Sequence, residues 1–282
     1  MSSKISFINL KGGVGKTTLA INIAANLSHY HNQKVLMVDV DPQTNSTVSL
    51  ISPKYYVEEL KKKNRTLKAM YDAQISSKAS PVNFDSIVVE GAGGVDRLDL
   101  LPSDLELIDI DIQLSRIPNS YAIVRDFLEE VFNDYDYIIF DCPPNMGLLT
   151  QNGLFASDYY VVPVQPDFLS TFGLDLVTGR VKWFKREIKK SVKWFDLGYG
   201  GLIFSRVRHT LEHSQKMMEL RSKTEFDPVF KSIVYERTAI SEASARSLPI
   251  CRSKTGFGWA EVNEMFKECA EEFLACFPPR EE

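Results

Sequence analysis

The segment Lys11-Gly12-Gly13-Val14-Gly15-Lys16-Thr17-Thr18 lies between an apolar β-branched run, residues 5–10, and a helical period, residues 17–30, that puts Leu19, Ile23 and Leu27 on one face. A glycine-rich loop joining a strand to a helix leaves few folds open. Its backbone N–H groups converge on an anion only if neighbours hold the strand and the helix N-terminus points at the same spot. Gly12, Gly13 and Gly15 permit close approach to a phosphate, and the loop amides, that of Val14 included, supply donors. Lys16 brings charge to the β/γ-phosphates and Thr17 a hydroxyl for Mg2+, with Thr18 near the phosphates.

The rest of the chain repeats this grammar of a short apolar run, a turn holding Gly, Asp or Pro, and a helical period. Strands are predicted over residues 5–10, 34–39, 99–102, 137–141, 159–164, 201–205 and 229–234. Helices are predicted over 17–30, 57–72, 105–116, 120–133, 172–190, 210–223 and 259–276. The alternation points to an α/β fold of the P-loop NTPase type, a mostly parallel twisted sheet with helices on both faces. With 282 residues, no repeat and no Ser/Gly/Pro linker, one domain over residues 1–282 is expected. Residues 52–95 are the least regular, and Lys61-Lys62-Lys63-Asn64-Arg65 and Gly91-Ala92-Gly93-Gly94 read there as a solvated helix end and a surface loop.

Composition narrows the function classes. A net charge of −4 with pI ≈ 5.7 gives no global field for nucleic acid, so any such binding needs a local patch. Cys142, Cys251, Cys269 and Cys276 form no CxxC pair and suit a reduced, cytoplasmic compartment. No apolar run approaches the ~18 residues of a membrane span. The first run is interrupted by Lys11-Gly12-Gly13 before it could act as a secretion signal.

The ordinary phosphate loop, GxxxxGK[ST], would place its first glycine at Leu10 and fixes no lysine at position 11. The pattern KGGxGKTT instead resembles the deviant Walker A box of the ParA/MinD family of ATPases. Val38-Asp39-Val40-Asp41-Pro42-Gln43-Thr44-Asn45 resembles the family's switch I box, DxDPQxN, with Thr44 where glycine is more usual. Asp41, at a strand's carboxyl end, is placed to orient an attacking water. Tyr135-Asp136-Tyr137-Ile138-Ile139-Phe140-Asp141-Cys142-Pro143-Pro144 is similar to the Walker B and switch II segment. There Asp141 would hold Mg2+ through water, and Cys142 is read as a small buried residue. Pro163-Val164-Gln165-Pro166, followed by Asp167, is like PVQPE, and Ser241-Glu242-Ala243 is like the tail of IPRNVRLSEAP. These matches follow the family's order over about residues 4–275.

The resemblance implies a Mg2+-dependent ATPase whose ATP-bound form is a sandwich homodimer, with Lys11 reaching across to the partner's ATP. It implies partition or positioning of plasmid or chromosomal DNA, or another cargo, with slow hydrolysis stimulated by a ParB-like protein. The ParA branch without an N-terminal helix-turn-helix fits best, because the first strand begins at about residue 4. The membrane-binding branch does not fit: from Glu261 to Glu282 seven glutamates face only Lys267 and Arg280. Nor do the four cysteines suit the iron-protein branch.

Non-specific DNA binding does not transfer position by position, since Glu236 and Ala239 stand where the family has arginines and Arg237 where it has asparagine. A replacement patch runs along Arg180, Lys182, Lys185, Arg186, Lys189, Lys190 and Lys193, opposed only by Glu187 and interleaved with Trp183, Phe184 and Trp194. Arg206, Arg208, Arg221, Lys223, Arg252 and Lys254 could extend it, and Arg206, Arg208 and Arg237 are the fallback surface. Two alternatives stand: a family member that positions cargo through protein contacts without DNA, and a metabolic phosphoryl-transfer enzyme on the same loop.

Overall fold

The computed structural model describes residues 2–75, 81–168, 170–254 and 257–279, without the side chains of residues 170–172; Arg280, Glu281 and Glu282 of the acidic C-terminus lie outside this description. Seven strands, β1 (Ser3–Phe7), β2 (Val35–Asp39), β3 (Leu98–Leu101), β4 (Tyr137–Asp141), β5 (Tyr159–Val164), β6 (Gly198–Val207) and β7 (Val229–Tyr235), form one sheet in the order β3-β2-β4-β1-β5-β6-β7. Every neighbouring pair is parallel.

Alternation along each strand explains why these runs are apolar throughout. Val35, Met37, Tyr137 and Ile139 point into the layer under the helices Lys16–His31 and Trp259–Cys276, together with Ile5 and Phe7. Leu36, Val38, Ile138 and Phe140 point into the opposite layer, beneath Leu148–Phe155 and Ser170–Ser191. A parallel strand covered on both faces has no solvent side, so it carries no polar alternation.

The sheet order places β1 between β4 and β5. The chain leaves β1 toward β2 and β3, then returns through β4 and crosses to β5, so a crevice opens at the carboxyl ends of the central strands. The loop after β1, the turn after β2 and the turn after β4 meet there.

Some predicted helices break for local reasons. The expected helix 57–72 divides into a π-helical turn, Tyr56–Lys61, and a helix, Leu67–Ile75. Asn64 between them adopts φ 51, a left-handed conformation that ends a helix. The expected helix 120–133 is a chain of short turns around Ile123–Leu128. The Gly91–Gly94 segment is not simply a surface loop. Ala92 and Gly93 are buried, and a Cβ on Gly93 would lie 2.7 Å from Pro249 Cδ and 2.8 Å from Leu50 Cδ2.

Candidate active site

A cleft of about 760 Å³ opens at the carboxyl edge of the sheet, lined by Gly12 through Leu19, by Asp41, Gln43 and Asn45, and by the ends of β6 and β7 with Thr238, Ile240, Ser241 and Ser244. The loop after β1 enters the helix Lys16–His31 through Gly15 at φ 86, and Gly13 is at φ 74, backbone that L side chains rarely adopt. The helix has no side-chain cap and no acidic residue in its first turn. Its first N–H groups therefore remain available to an anion.

Lys16 is 7% exposed, and burial lowers its pKa against the attraction of Asp141 and Asp41. Thr17 Oγ1 donates to Asp141 Oδ2 at 2.7 Å. Ser46 Oγ donates to the same oxygen at 2.7 Å, whereas the buried Asp141 Oδ1 has no partner. Burial raises the Asp141 carboxyl to about 6, and Asp39, fully buried beside it, is raised by its own burial and by the Asp141 charge. An orphaned carboxylate oxygen beside a threonine hydroxyl is a hard oxygen donor set that fits Mg2+, which typically takes only one or two protein ligands with phosphate and water. No cluster of three or more His, Cys, Asp or Glu suited to holding a metal by itself occurs among the described residues.

Asp41 is brought to the cleft by a turn that is tied on several sides. Its Oδ1 accepts the Gln43 N–H at 2.9 Å, and its own N–H donates to Asp39 Oδ1 at 3.2 Å. Asp39 Oδ2 accepts both the N–H of Thr47 at 2.8 Å and its hydroxyl at 2.7 Å. Ser103, just beyond β3, donates from Oγ to the Asp41 carbonyl at 2.7 Å and from its N–H to Thr47 Oγ1 at 2.9 Å. Burial raises the Asp41 pKa, opposed by the Gln43 hydrogen bond and the Lys16 charge. Thr44, where glycine is more usual, takes φ 57. A β-branched residue there is strained.

Lys11 does not line the cleft. Its ammonium is ion-paired with Asp167 of the same chain, and its N–H donates to Asn9 Oδ1 at 2.9 Å. Cys142 is buried in the core, its thiol pushed up to about 12 by burial.

The basic residues divide into two groups. Lys182, Arg186, Lys189, Lys190 and Lys193 are exposed on or just after the helix Ser170–Ser191, whose other face buries Leu174, Val177, Val181, Phe184 and Ile188. Lys185 is half-buried, 2.7 Å from Asp196 and donating to the Leu197 carbonyl at 2.8 Å. Phe184 points inward, while Trp183 and Trp194 are 48% and 62% exposed. This helix starts near the carboxyl end of β5 and ends before β6 begins, so its basic end lies at the sheet edge opposite the cleft. Arg206 and Arg237 instead line the cleft. Arg206 and Arg208 are both ion-paired with Glu236, and Arg237 with Glu261 at 2.9 Å.

Sequence reading alone did not single out Asp39, Ser46, Thr47, Ser103 or Ser205 as parts of the site. The first aspartate of DxD was the available signal for Asp39; the hydroxyls carry no pattern of their own.

A parallel sheet with a glycine-rich loop at its central carboxyl edge, a buried lysine in that loop and a carboxylate–threonine pair beneath it define the P-loop NTPase class. The AAA domain family model matches residues 2–194. The sporulation initiation inhibitor protein Soj of Bacillus subtilis is 32% identical over 250 residues, 89% of this chain and 90% of that protein. The chromosome partitioning protein ParA of Myxococcus xanthus is 32% identical over 248 residues, 87% and 80% of the two chains. The chain belongs to the ParA/MinD family of P-loop ATPases. In fold it is similar to a putative plasmid partition protein of Borrelia burgdorferi bound to AMPPNP, with TM-score 0.72, 24% identity and coverage of 97% of this chain and 100% of the other. It is similar also to cobyrinic acid a,c-diamide synthase of Mycobacterium smegmatis with a bound ATP analogue and magnesium, with TM-score 0.70, 22% identity and full coverage of both. Fold alone thus spans both partition proteins and a metabolic enzyme.

Proposed function

We propose that the protein is a Mg2+-dependent ATPase that dimerises around ATP and positions DNA or another cargo, in the manner implied by its Soj and ParA relatives. The observation that carries this reading is the separation of the two lysines. Lys16 is buried in the cleft, whereas Lys11 is turned out of it, where it can serve a nucleotide held by a second copy.

Bound Mg2+ and ATP would supply the electrophilic γ-phosphorus and neutralise charge as it transfers to water. The loop amides and Lys16 bind the β/γ-phosphates, Thr17 and Asp141 hold the metal side, and Thr18 lies near the phosphates. Asp41 orients a water, fixed from behind by Asp39, Thr47 and Ser103. Positioning and charge do the catalysis, which suits slow turnover that a ParB-like partner accelerates.

DNA binding is assigned to the exposed cations of the helix Ser170–Ser191 and to Lys193, which would contact backbone phosphates without reading sequence. Arg206 and Arg237 line the cleft and Arg208 is ion-paired with Glu236 at its wall, so we assign all three outside that surface. The reading without DNA is favoured by one observation: Glu236, in place of an arginine, neutralises two cations beside the cleft. A cytoplasmic, nucleoid-associated location follows from the DNA reading; no helix among the described residues is long and apolar enough to cross a membrane.

Light scattering with AMPPNP and with ADP tests the core of the proposal. A dimer with AMPPNP, none with ADP, and phosphate release from ATP are expected. A monomer under both conditions would exclude the sandwich dimer, and absence of phosphate release would exclude the ATPase.

A further inference from the structure

The carboxyl end of β6 holds the phosphate loop by two of its carbonyl groups. Ser205 Oγ, 1% exposed, donates to the Val14 carbonyl. Arg206 donates from one guanidinium nitrogen to the Gly13 carbonyl at 2.6 Å. The guanidinium is in turn ion-paired with Glu236. Glu236 also takes Arg208, and its own N–H donates to the Val207 carbonyl at 2.9 Å. The register between β6 and β7 slips between Phe204 and Val207, and Arg206 adopts φ 51 within that irregularity. A bulge beside a site re-aims a side chain. Here Arg206 is aimed across the loop, its Cγ 3.4 Å from where a Cβ on Gly15 would stand.

A trans peptide is planar, so its C=O and N–H point in opposite directions. Fixing the Gly13 carbonyl therefore fixes the Val14 N–H, and fixing the Val14 carbonyl fixes the Gly15 N–H, both turned away from β6. Among the described residues neither N–H has an acceptor. They are donors held in place with nothing to donate to.

We propose that Ser205 and Arg206 are positioning residues for phosphate binding: they lock two loop peptides so that the Val14 and Gly15 N–H groups face the nucleotide's phosphates before it arrives, and Glu236 fixes Arg206 for that task. This rests on the nucleotide reading of the cleft. It gives Arg206 a role in the cleft in place of one on a nucleic-acid surface. Pre-oriented donors need no reorganisation on binding, so the benefit falls on phosphate-bearing ligands and not on the nucleoside.

The test measures ADP and AMPPNP binding by calorimetry, and adenosine binding by displacement of a fluorescent ADP, for Ser205→Ala and Arg206→Met. Each variant should bind ADP roughly five- to ten-fold more weakly, the effect of one lost hydrogen bond, with adenosine affinity unchanged. Ser205→Thr, which keeps the hydroxyl, should restore ADP binding. ADP affinity within two-fold of the parent in both variants, or a parallel loss for adenosine, would overturn the assignment. A melting temperature equal to the parent's separates the loss from unfolding. If the unmodified protein binds neither ADP nor AMPPNP, the nucleotide reading itself fails and takes this assignment with it.

Discussion

Lys11 and Asp167 form an ion pair within one chain, joining the loop after β1 to the turn after β5. A lysine destined for a partner's nucleotide must first leave this carboxylate. Both side chains are partly exposed, so the pair opposes that movement by only ~0.5–1 kcal/mol. Asp167→Asn should lower the AMPPNP concentration for half-maximal dimerisation by about two- to five-fold, whereas Lys11→Ala should still bind nucleotide but form no dimer. Light scattering over an AMPPNP titration decides it. An unchanged midpoint in Asp167→Asn would show that the pair does not restrain Lys11.

In the proposed mechanism Asp41 orients the attacking water and Lys16 binds the phosphates. Asp41→Ala should leave nucleotide affinity within about two-fold and reduce phosphate release about 100-fold, the range for a lost acid–base group. Lys16→Ala should weaken both. Normal hydrolysis by Asp41→Ala would move the water-orienting role elsewhere.

The Asp141 carboxyl is raised by burial to about 6, above its ordinary value of 3.8. The folded protein therefore holds this proton more tightly than the unfolded chain between those two values. Its contribution makes stability fall as pH rises through that window and stay low above it. Asp141→Asn removes the penalty while keeping an acceptor for Thr17 and Ser46. In thermal melts without Mg2+ or nucleotide, the variant should exceed the parent at pH 8 by up to roughly 3 kcal/mol, with the difference vanishing near pH 4. It should also lose Mg2+-dependent hydrolysis. A constant difference across the pH range would mean that the carboxyl does not titrate there.

Lys182, Arg186 and Lys190 are exposed on one helix, and a dimer would present two such helices. Replacing all three with Glu should abolish ATP-dependent DNA binding and leave AMPPNP-dependent dimers intact. Binding by the parent should fall steeply with salt and show little sequence preference. Gel-shift titrations at two salt concentrations check this. Retained DNA binding in the triple variant would move the surface, and no binding by the parent at low salt would favour the reading through protein contacts.

The phosphate loop was legible because every property it needs is local: glycines for positive φ, a lysine and a threonine one residue apart, and a helix opening at once. Strands β4 and β5 were legible because burial on both faces writes continuous apolar runs. The helix Leu148–Phe155 was not predicted. It is buried nearly all round, with Thr150 and Asn152 inside, and Asn152 spends its amide on the Ser120 and Leu148 carbonyls at 2.7 and 2.8 Å. Such a segment has no polar face for a periodic pattern to reveal.

The sequence by itself determined the parallel α/β architecture, the glycine-rich loop between the first strand and its helix, and the two aspartates at the carboxyl edge, Asp41 just beyond β2 and Asp141 at the end of β4, because short-range spacing and strand burial set all of these. Only the tertiary structure decided that Lys11 rests on Asp167, that Ser103 holds the Asp41 carbonyl, and that Arg206 lies across the phosphate loop and not on the basic helix. Those contacts join residues 156, 62 and 193 positions apart. Such distances close only when the strand order is fixed, and no local preference of a lysine, serine or arginine records which strand end will come to lie beside it.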